Sequence, residues 1–275
     1  MKNRKDGKYI KPEDGIHAIM PYLMDKRCDA EVSKTDYLDL TKLKSWVDKK
    51  QKDLDFKYTY FQALAAVFSK TIFNRPLLNR FVQGHRLYER NYVSLTFVAK
   101  DKFSDEAEEK MIVLKVKPEE NAVELAHRMA IDIFKTRKEG TNDLDGFLKL
   151  LTKIPRWLLR IIVRFIKWLD YHGWVPSSLC DNDSNYATLL LSNLGSIKCN
   201  SCYHHLNNYG TNSIVITIGT IRKENNKWIV DITSTIDERI ADGFYFAKSI
   251  KLAQHILDNP ELLEQRLDSK VDYEF

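Results

Sequence analysis

Two cysteines and two histidines lie within one short segment of the sequence and could together do chemistry. Cys199 and Cys202 form a CxxC pair, and His204 and His205 follow in the segment CNSCYHH. A structural zinc site needs four ligands in a tetrahedral array, and these crowded side chains do not supply it alone. No βαβ pattern typical of a thioredoxin-like redox motif surrounds the pair. We therefore expect no metal site here and interpret both cysteines as ordinary reduced thiols.

The two histidines are adjacent, and an imidazole is a common catalytic base because its pKa lies near neutrality. Neighbouring side chains of an extended segment point to opposite faces, so we expect only one of them to face a substrate. His205 is the candidate base, and His204 is a candidate structural or channel residue. The other interpretation is that the histidine is hydrogen-bonded or lies at an interface, which is the commoner role of such a residue.

A stripe of positive charge occurs in the segment RWLLRIIVRFIKWLDYHGW, residues 156–174. Its arginines are four positions apart, so they lie on one helical face. The stripe and the apolar residues beside it are Arg156, Arg160, Arg164 and Lys167, with Trp157, Ile161, Phe165 and Trp168. Two interpretations stay open. One is a buried helix whose arginine stems reach solvent, which we favour, and the other is contact of residues 156–168 with a membrane surface or an acyl chain.

The elements that must position these residues follow from apolar periodicity. Spacings of three and four predict helices over residues 58–73 and 119–139, and a short helix over 141–154. Apolar and β-branched runs predict strands over residues 93–99 and 109–118.

The last third of the chain is rich in strands. YATLLLSNLG, SIVITIGTIR and KWIVDITSTID are three β-type runs, and ADGFYFAKSIKLAQHILDNPELL is a closing helix. Mixed strands and helices with hairpin-length gaps indicate an α/β sandwich whose sheet is not purely parallel.

Bulk properties favour one globular domain. The chain has 275 residues, 44% of them hydrophobic, and we expect an irregular basic extension over residues 1–20 and a single domain over 21–275. The net charge of +5 is mild and no basic arm occurs, so we do not expect nucleic-acid binding. Four cysteines, no signal-peptide pattern and no long apolar run favour a cytoplasmic location.

Three late segments occur in the order and with the spacings of a known family. They are LLLSNLGS (189–196), NSIVITIGTIR (212–222) and TIDERIADGFYFAKSIKLAQHIL (235–257). They resemble the Ser-x-x-Gly strand, the interface strand and the D-H-R-x-x-D-G motif of chloramphenicol acetyltransferase and the dihydrolipoamide acyltransferase catalytic domain. The resemblance covers about residues 20–265 and implies a two-layer sandwich with a mixed sheet flanked by helices.

The resemblance places Glu238 where the family has its catalytic histidine, which removes a proton from the thiol or hydroxyl that attacks an acyl thioester. Asp242 and Gly243 complete the motif. A free carboxylate has a pKa of about 4.3 and a free thiol about 8.5, so the carboxylate is a poor base. Burial raises the pKa of a carboxyl group, so altered catalysis stays open. The other interpretation is that Glu238 pairs with a nearby arginine or lysine in an inactive fold.

Further site residues are implied by the same resemblance. Asp242 matches an aspartate that holds the site through an ion pair with an N-terminal arginine, and Arg27 is the candidate partner. Ser192 matches the hydroxyl donor to the oxyanion, a role worth about 10²–10³ in rate. Residues with expected structural or channel roles are Asn193, Gly195 and Arg239.

The family also implies an assembly and a substrate. We expect a homotrimer in which Ser192 of one chain meets residues 238–243 of another, with small-molecule acyl donor and acceptor as partners. The expected donor is a coenzyme A thioester, and no bound cofactor is expected. The leading hypothesis is a stand-alone acyltransferase-family protein with altered or lost acyl transfer. The alternative is a non-catalytic ligand-binding or assembly protein on the same trimeric fold.

Overall fold

The structure is a computed structural model that describes residues 3–12, 14–100, 109–139 and 153–274. The α-helices are α1 Gly15–Leu23, α2 Thr41–Lys50, α3 Tyr60–Asn74, α4 Ala122–Glu139, α5 Arg156–Tyr171, α6 Ser177–Cys180 and α7 Gly243–Asp258. The strands are β1 Gly7–Tyr9, β2 Glu31–Asp39, β3 Arg80–Gln83, β4 Arg86–Arg90, β5 Ser94–Lys100, β6 Glu109–Lys115, β7 Leu189–Asn193, β8 Ile214–Ile218, β9 Arg222–Glu224 and β10 Lys227–Asp237.

The large sheet has the strand order β2-β10-β8-β7-β5-β6, and β9 pairs with β10. Strand β7 runs parallel to β5 and β8, whereas the other pairs are antiparallel. A parallel neighbour needs a long crossover connection, and the chain between β5 and β7 supplies it. The predicted mixed sheet is therefore confirmed.

Helices α2, α3, α4 and α7 share one apolar core with the large sheet. Helix α3 begins with a capping box, in which the Thr59 hydroxyl accepts from the Gln62 N–H and the Gln62 side chain accepts from the Thr59 N–H. Sheet and helices form the predicted two-layer sandwich. Core side chains from the four helices and the sheet include Leu43, Leu64, Leu125, Ile256, Leu191 and Ile232.

The described residues of the N-terminal segment include β1 and the first part of α1, so the prediction that this segment is irregular is wrong. Strand β1 pairs with β4 in a second, antiparallel sheet of order β1-β4-β3, and α1 follows. Three residues are too few for a periodicity, and the partner strand lies about 80 residues away. The buried Arg4 pairs with Asp170 at 2.8 Å. The division at residue 20 falls inside α1, and the single domain over 21–275 stays a prediction.

Helix α5 lies on the surface, so the favoured prediction of a buried helix is wrong for this chain alone. Asp170 is its buried residue, whereas Trp157 is 66% exposed. The pattern identified the helix but could not say what covers it. Residues 140–152 of the predicted 141–154 helix lie outside the described residues. Within the described part of the chain, no helix combines the length and apolar character needed to cross a membrane.

Candidate active-site region

Glu238 occupies the turn between β10 and α7. Its backbone N–H donates to the carbonyl of Ala30 at 2.8 Å, and the N–H of Ile240 donates to the carbonyl of Asp237 at 3.1 Å. Strand β10 therefore delivers Glu238 to a turn whose backbone is fixed on both sides.

A buried ion pair flanks Glu238 in sequence. Arg239 donates through Nε and Nη2 to the two carboxylate oxygens of Asp237, at 2.8 and 2.7 Å. Its Nη1 donates to the Met24 carbonyl at 2.7 Å. Both side chains are at most 4% exposed, and bidentate geometry makes such a pair strong and directional. The pair ties the turn at Glu238 to the segment that follows α1.

Arg27 joins this cluster by pairing with Asp237, which was not predicted as its partner. Its Nε lies 3.7 Å from Oδ2 of Asp237, and its Nη atoms donate to the carbonyls of Asn207 and Val82 at 2.8 and 3.0 Å. Burial lowers the pKa of Arg27 from its usual value, and Asp237 opposes that shift. The cluster thus joins four separate segments around the turn.

The predicted ion pair between Arg27 and Asp242 is therefore wrong. Asp237 is the last residue of β10 and faces Arg27, whereas Asp242 is exposed at the start of α7. The Asp242 carboxylate accepts from the Tyr245 N–H at 2.6 Å and caps the helix. The signal for Asp237 was present as the acidic residue next to Glu238, but spacing alone could not tell the two aspartates apart.

Glu238 itself is half-buried. Among the described residues, no hydrogen bond or ion pair of its carboxylate is found. The proposed structural pairing with an arginine or lysine is therefore not formed within the described part of one chain. The cation next to Glu238 in sequence, Arg239, instead donates hydrogen bonds to the Asp237 carboxylate and the Met24 carbonyl.

Ser192 lies near the carboxyl end of β7 in a row of hydroxyl side chains that crosses the sheet. The residues in register with it on the next strands are Thr217, Thr233 and Thr35. Residues in register share a face of the sheet. Asp237 shares that face with Thr233, because four residues separate them on β10. Ser192 and Asp237 therefore project from one face.

The same register keeps Ser192 and Glu238 apart within one chain. Ser192 is two strands from Thr233, and Asp237 is four residues further along β10. Strand spacing and rise per residue then separate Ser192 from Asp237 by about 17 Å. A single chain does not bring the serine and the glutamate together.

The segment after β7 covers part of this hydroxyl face. The Thr217 hydroxyl donates to the Cys202 carbonyl at 2.6 Å and accepts from the Cys202 N–H at 3.1 Å. The Ser201 and Thr233 hydroxyls are 2.8 Å apart. These contacts were not predicted, because they depend on strand register.

The two histidines stack on each other, so the prediction that they point to opposite faces is wrong. Their ring centroids are 5.0 Å apart with an interplanar angle of 18°, and Nδ1 of His204 lies 2.8 Å from the carbonyl of His205. The segment is not a strand. The buried Leu206 donates its N–H to Glu31 at 2.8 Å, which places the pair beside the start of β2. His205 as a base stays a prediction.

The cysteines are all free thiols. Cys199 and Cys202 are exposed, and the described residues contain no cluster suited to hold a metal ion. Cys28 is an unexpected neighbour of the buried cluster: its N–H donates to the Asn208 side-chain oxygen at 3.1 Å, and the Asn208 amide donates to its sulfur at 3.1 Å. No local sequence signal links two residues so far apart.

Gly195 has a packing role and Gly243 does not. A Cβ at Gly195 would overlap the carbonyl oxygen of Gly219, whereas a Cβ at Gly243 would meet nothing within 4 Å. Asn193 ends β7, and its carbonyl accepts from the Ser196 hydroxyl at 2.8 Å. Close approach of two backbones thus explains Gly195 in the turn after Ser192.

Solved structures with the same fold were found by comparison. A probable dihydrolipoamide acetyltransferase from Listeria monocytogenes superposes with a TM-score of 0.59 at 14% identity, covering 97% of this chain and 98% of that one. Dihydrolipoamide acetyltransferase from Azotobacter vinelandii gives 0.60 at 13%, covering 93% and 94%. A chloramphenicol acetyltransferase gives 0.56 at 10%, covering 91% and 99%.

At the level of sequence, no family model and no curated protein matches this chain. The structural similarity nevertheless extends over nearly the whole of both partners in each comparison, as the resemblance in the late motifs led us to expect. The chain therefore has the acyltransferase fold of the dihydrolipoamide acyltransferase catalytic cores and chloramphenicol acetyltransferase.

Proposed function

We propose that this protein binds an acyl thioester, such as an acyl-coenzyme A, between the subunits of a homotrimer and transfers the acyl group with an altered base, Glu238. The observation that carries the proposal is that the backbone at Glu238 is held in place while its carboxylate is unpaired among the described residues. A buried Arg239–Asp237 pair fixes the turn, while the described part of the chain leaves the carboxylate without a partner. A purely structural glutamate would be expected to pair with a cation.

The spacing of the motif supports this proposal. The Azotobacter structure concerns the role of a serine, a histidine and an asparagine in the catalytic mechanism of that enzyme, and its histidine and asparagine are four positions apart. Glu238 and Asp242 have the same separation. The serine precedes the histidine by 52 positions there, and Ser192 precedes Glu238 by 46 here.

An assembly between subunits follows from the separation within one chain. The strand register holds Ser192 about 17 Å from Asp237, which precedes Glu238 directly. A site that uses both Ser192 and Glu238 therefore needs the serine from one chain and the glutamate from another. A trimer with cyclic symmetry would form three such sites. A neighbouring chain would also cover the half-buried Glu238.

The reaction would proceed by general base catalysis. Glu238 accepts the proton of a thiol or hydroxyl acceptor, and the acceptor atom attacks the thioester carbonyl. The Ser192 hydroxyl donates a hydrogen bond to the oxyanion. Collapse of the tetrahedral intermediate breaks the carbon–sulfur bond, and the departing thiolate takes the proton from Glu238. A carboxylate accepts a thiol proton less readily than an imidazole does, so turnover should be slow.

A non-catalytic binding protein on the same fold is the second candidate. It is favoured by the ion pair of Arg27 with Asp237, because this departs from the Arg27–Asp242 pairing that the family resemblance implied. In that case the thioester would bind without transfer.

Thiol release from acetyl-coenzyme A, measured with small thiol and alcohol acceptors, tests the proposal. Slow turnover by wild type should fall about 10²-fold or more in Glu238→Gln and Ser192→Ala. It should rise in Glu238→His, which restores an imidazole. Glu119→Gln changes an exposed glutamate outside the turn and is the matched control. Equal background rates in all variants, with acetyl-coenzyme A still bound, would favour the non-catalytic candidate.

A further inference from the structure

Helix α5 presents three different faces, because successive residues are turned by about 100° around an α-helix. One face packs against the protein through half-buried apolar residues: Leu158, Leu159, Ile162, Ile166 and Leu169. The next face is exposed and apolar: Trp157, Ile161, Phe165 and Trp168. The third face is exposed and basic: Arg156, Arg160, Arg164 and Lys167. The apolar and basic faces are adjacent, and both point away from the protein.

The helix is anchored firmly at its carboxyl end. The carboxylate of the buried Asp170 accepts from Nη2 of Arg4 at 2.8 Å and from the Gln83 amide at 2.6 Å. Arg4 also donates to Asp6 at 2.8 Å. The exposed faces of α5 are therefore displayed in a fixed orientation.

Aromatic rings cluster on the exposed apolar face. Phe165 and Trp168 stack with centroids 5.9 Å apart, and Trp168 meets Trp174 edge to face at 5.3 Å. Phe165 and Trp174 are each 56% exposed, and Trp168 is 48% exposed. Soluble proteins seldom expose contiguous apolar patches of this kind unless the patch binds something.

The exposed charges on α5 are all positive. Asp170 is the only acidic residue of the helix, and it is paired with Arg4. No ion pair is found between the four basic side chains and other described residues. Within the described part of the chain, the exposed surface of α5 therefore carries four positive charges without an ion-pair partner beside its aromatic cluster. Such a surface complements an anionic surface with an apolar interior.

We propose that α5 docks this protein on the surface of a membrane that contains anionic lipid. The aromatic face enters the boundary between headgroups and acyl chains, and the basic face contacts the lipid phosphates. Contact of α5 with α5 of a second copy is disfavoured, because it would bring like charges together. This proposal is independent of the proposed function, since it uses no residue near Glu238 or Ser192.

Vesicle flotation tests the proposal directly. The full chain is mixed with vesicles of phosphatidylcholine alone or with about one third phosphatidylglycerol at low ionic strength. We expect flotation with the anionic vesicles only, a blue shift of tryptophan fluorescence, and release at high salt. Equal flotation with both vesicle types, or none with either, would overturn the proposal.

Paired variants locate the contact on α5. Arg160→Gln with Arg164→Gln should weaken binding to anionic vesicles about 30-fold, because each basic residue near such a surface contributes about a factor of five. Phe165→Ser with Trp168→Ser should abolish the fluorescence shift. Ile16→Ser with Ile19→Ser is the matched control, since α1 also exposes apolar residues but contains no lysine or arginine.

The assembly mass of each variant is measured in parallel. We expect the α5 variants to keep the wild-type mass and to lose vesicle binding, while the α1 control keeps its vesicle binding. Dissociation caused by the α5 substitutions would identify α5 as a subunit contact, and loss of flotation in the control would place the lipid contact elsewhere. Either result would overturn the proposal.

Discussion

The guanidinium of Arg239 binds both carboxylate oxygens of Asp237, and Glu238 is the residue between them. This pair lies inside the protein and contacts a third buried charge, Arg27. The turn at Glu238 is thus held by buried charges, whereas Glu238 itself is only half-buried.

Asp237→Asn should destabilise the protein strongly. The substitution leaves Arg27 and Arg239 buried without a carboxylate, and breaking a buried pair in this way costs about 3–5 kcal/mol. Urea unfolding at one protein concentration measures the loss. Glu224→Gln is the matched control, because the exposed Glu224 forms a surface pair with Arg222 worth at most about 1 kcal/mol. A cost for Asp237→Asn no larger than that of the control would contradict this role.

The proposed intersubunit site predicts complementation between two variants that are each nearly inactive. Sedimentation should give the mass of three chains. Ser192→Ala chains and Glu238→Gln chains should each be nearly inactive. In a randomly assembled equimolar mixture, about a quarter of all sites should be intact, because each site takes one residue from each of two neighbours. Thiol release after refolding the mixture measures this. A mixture no more active than the separate variants would contradict the site between chains. Both residues would then act within one chain, or neither would act in catalysis.

Lys70 should make stability depend on pH. Its fully buried ammonium group donates to the Arg266 carbonyl and the Ser269 hydroxyl, both at 2.7 Å, and burial lowers the pKa of Lys70 to about 8. Between that value and the unfolded pKa of about 10.4, the unfolded chain binds more protons, so the free energy of unfolding rises with pH.

The measurement compares wild type with Lys70→Met. From about pH 7.5 to 9.5, wild type should gain about 1–2 kcal/mol of unfolding free energy relative to the variant. Lys251→Met, at an exposed position on α7, controls for the loss of a lysine elsewhere. A difference between wild type and Lys70→Met that does not change with pH would contradict the account.

Much of the fold was predictable because its signals are local. The runs that became β7, β8 and β10 are long and apolar, and the Glu238–Gly243 motif lies directly between β10 and α7. Strand β1 was missed because three residues carry no periodicity. The surface position of α5 was missed because an amphipathic pattern shows that a face is apolar but not what covers it.

The site was predictable only in part, because its geometry depends on register and burial. The resemblance predicted Glu238 as a site residue, which stays a prediction, but the choice between Asp237 and Asp242 as the partner of Arg27 depends on which carboxylate is buried. The stacking of His204 on His205 was not predictable, because the segment is not a strand and the alternation of side chains in a strand does not apply to it. The distance between Ser192 and Glu238 could not be predicted without the order of the strands.

Equilibrium binding of acetyl-coenzyme A tests the central claim most directly. Calorimetry on the wild-type protein should show saturable binding of one molecule per chain. Ser192→Trp, which fills the space at Ser192 itself, should abolish binding, whereas Glu119→Trp at an exposed position should not. No binding by wild type at concentrations up to about 1 mM, where thioester substrates of enzymes normally bind, would contradict the account.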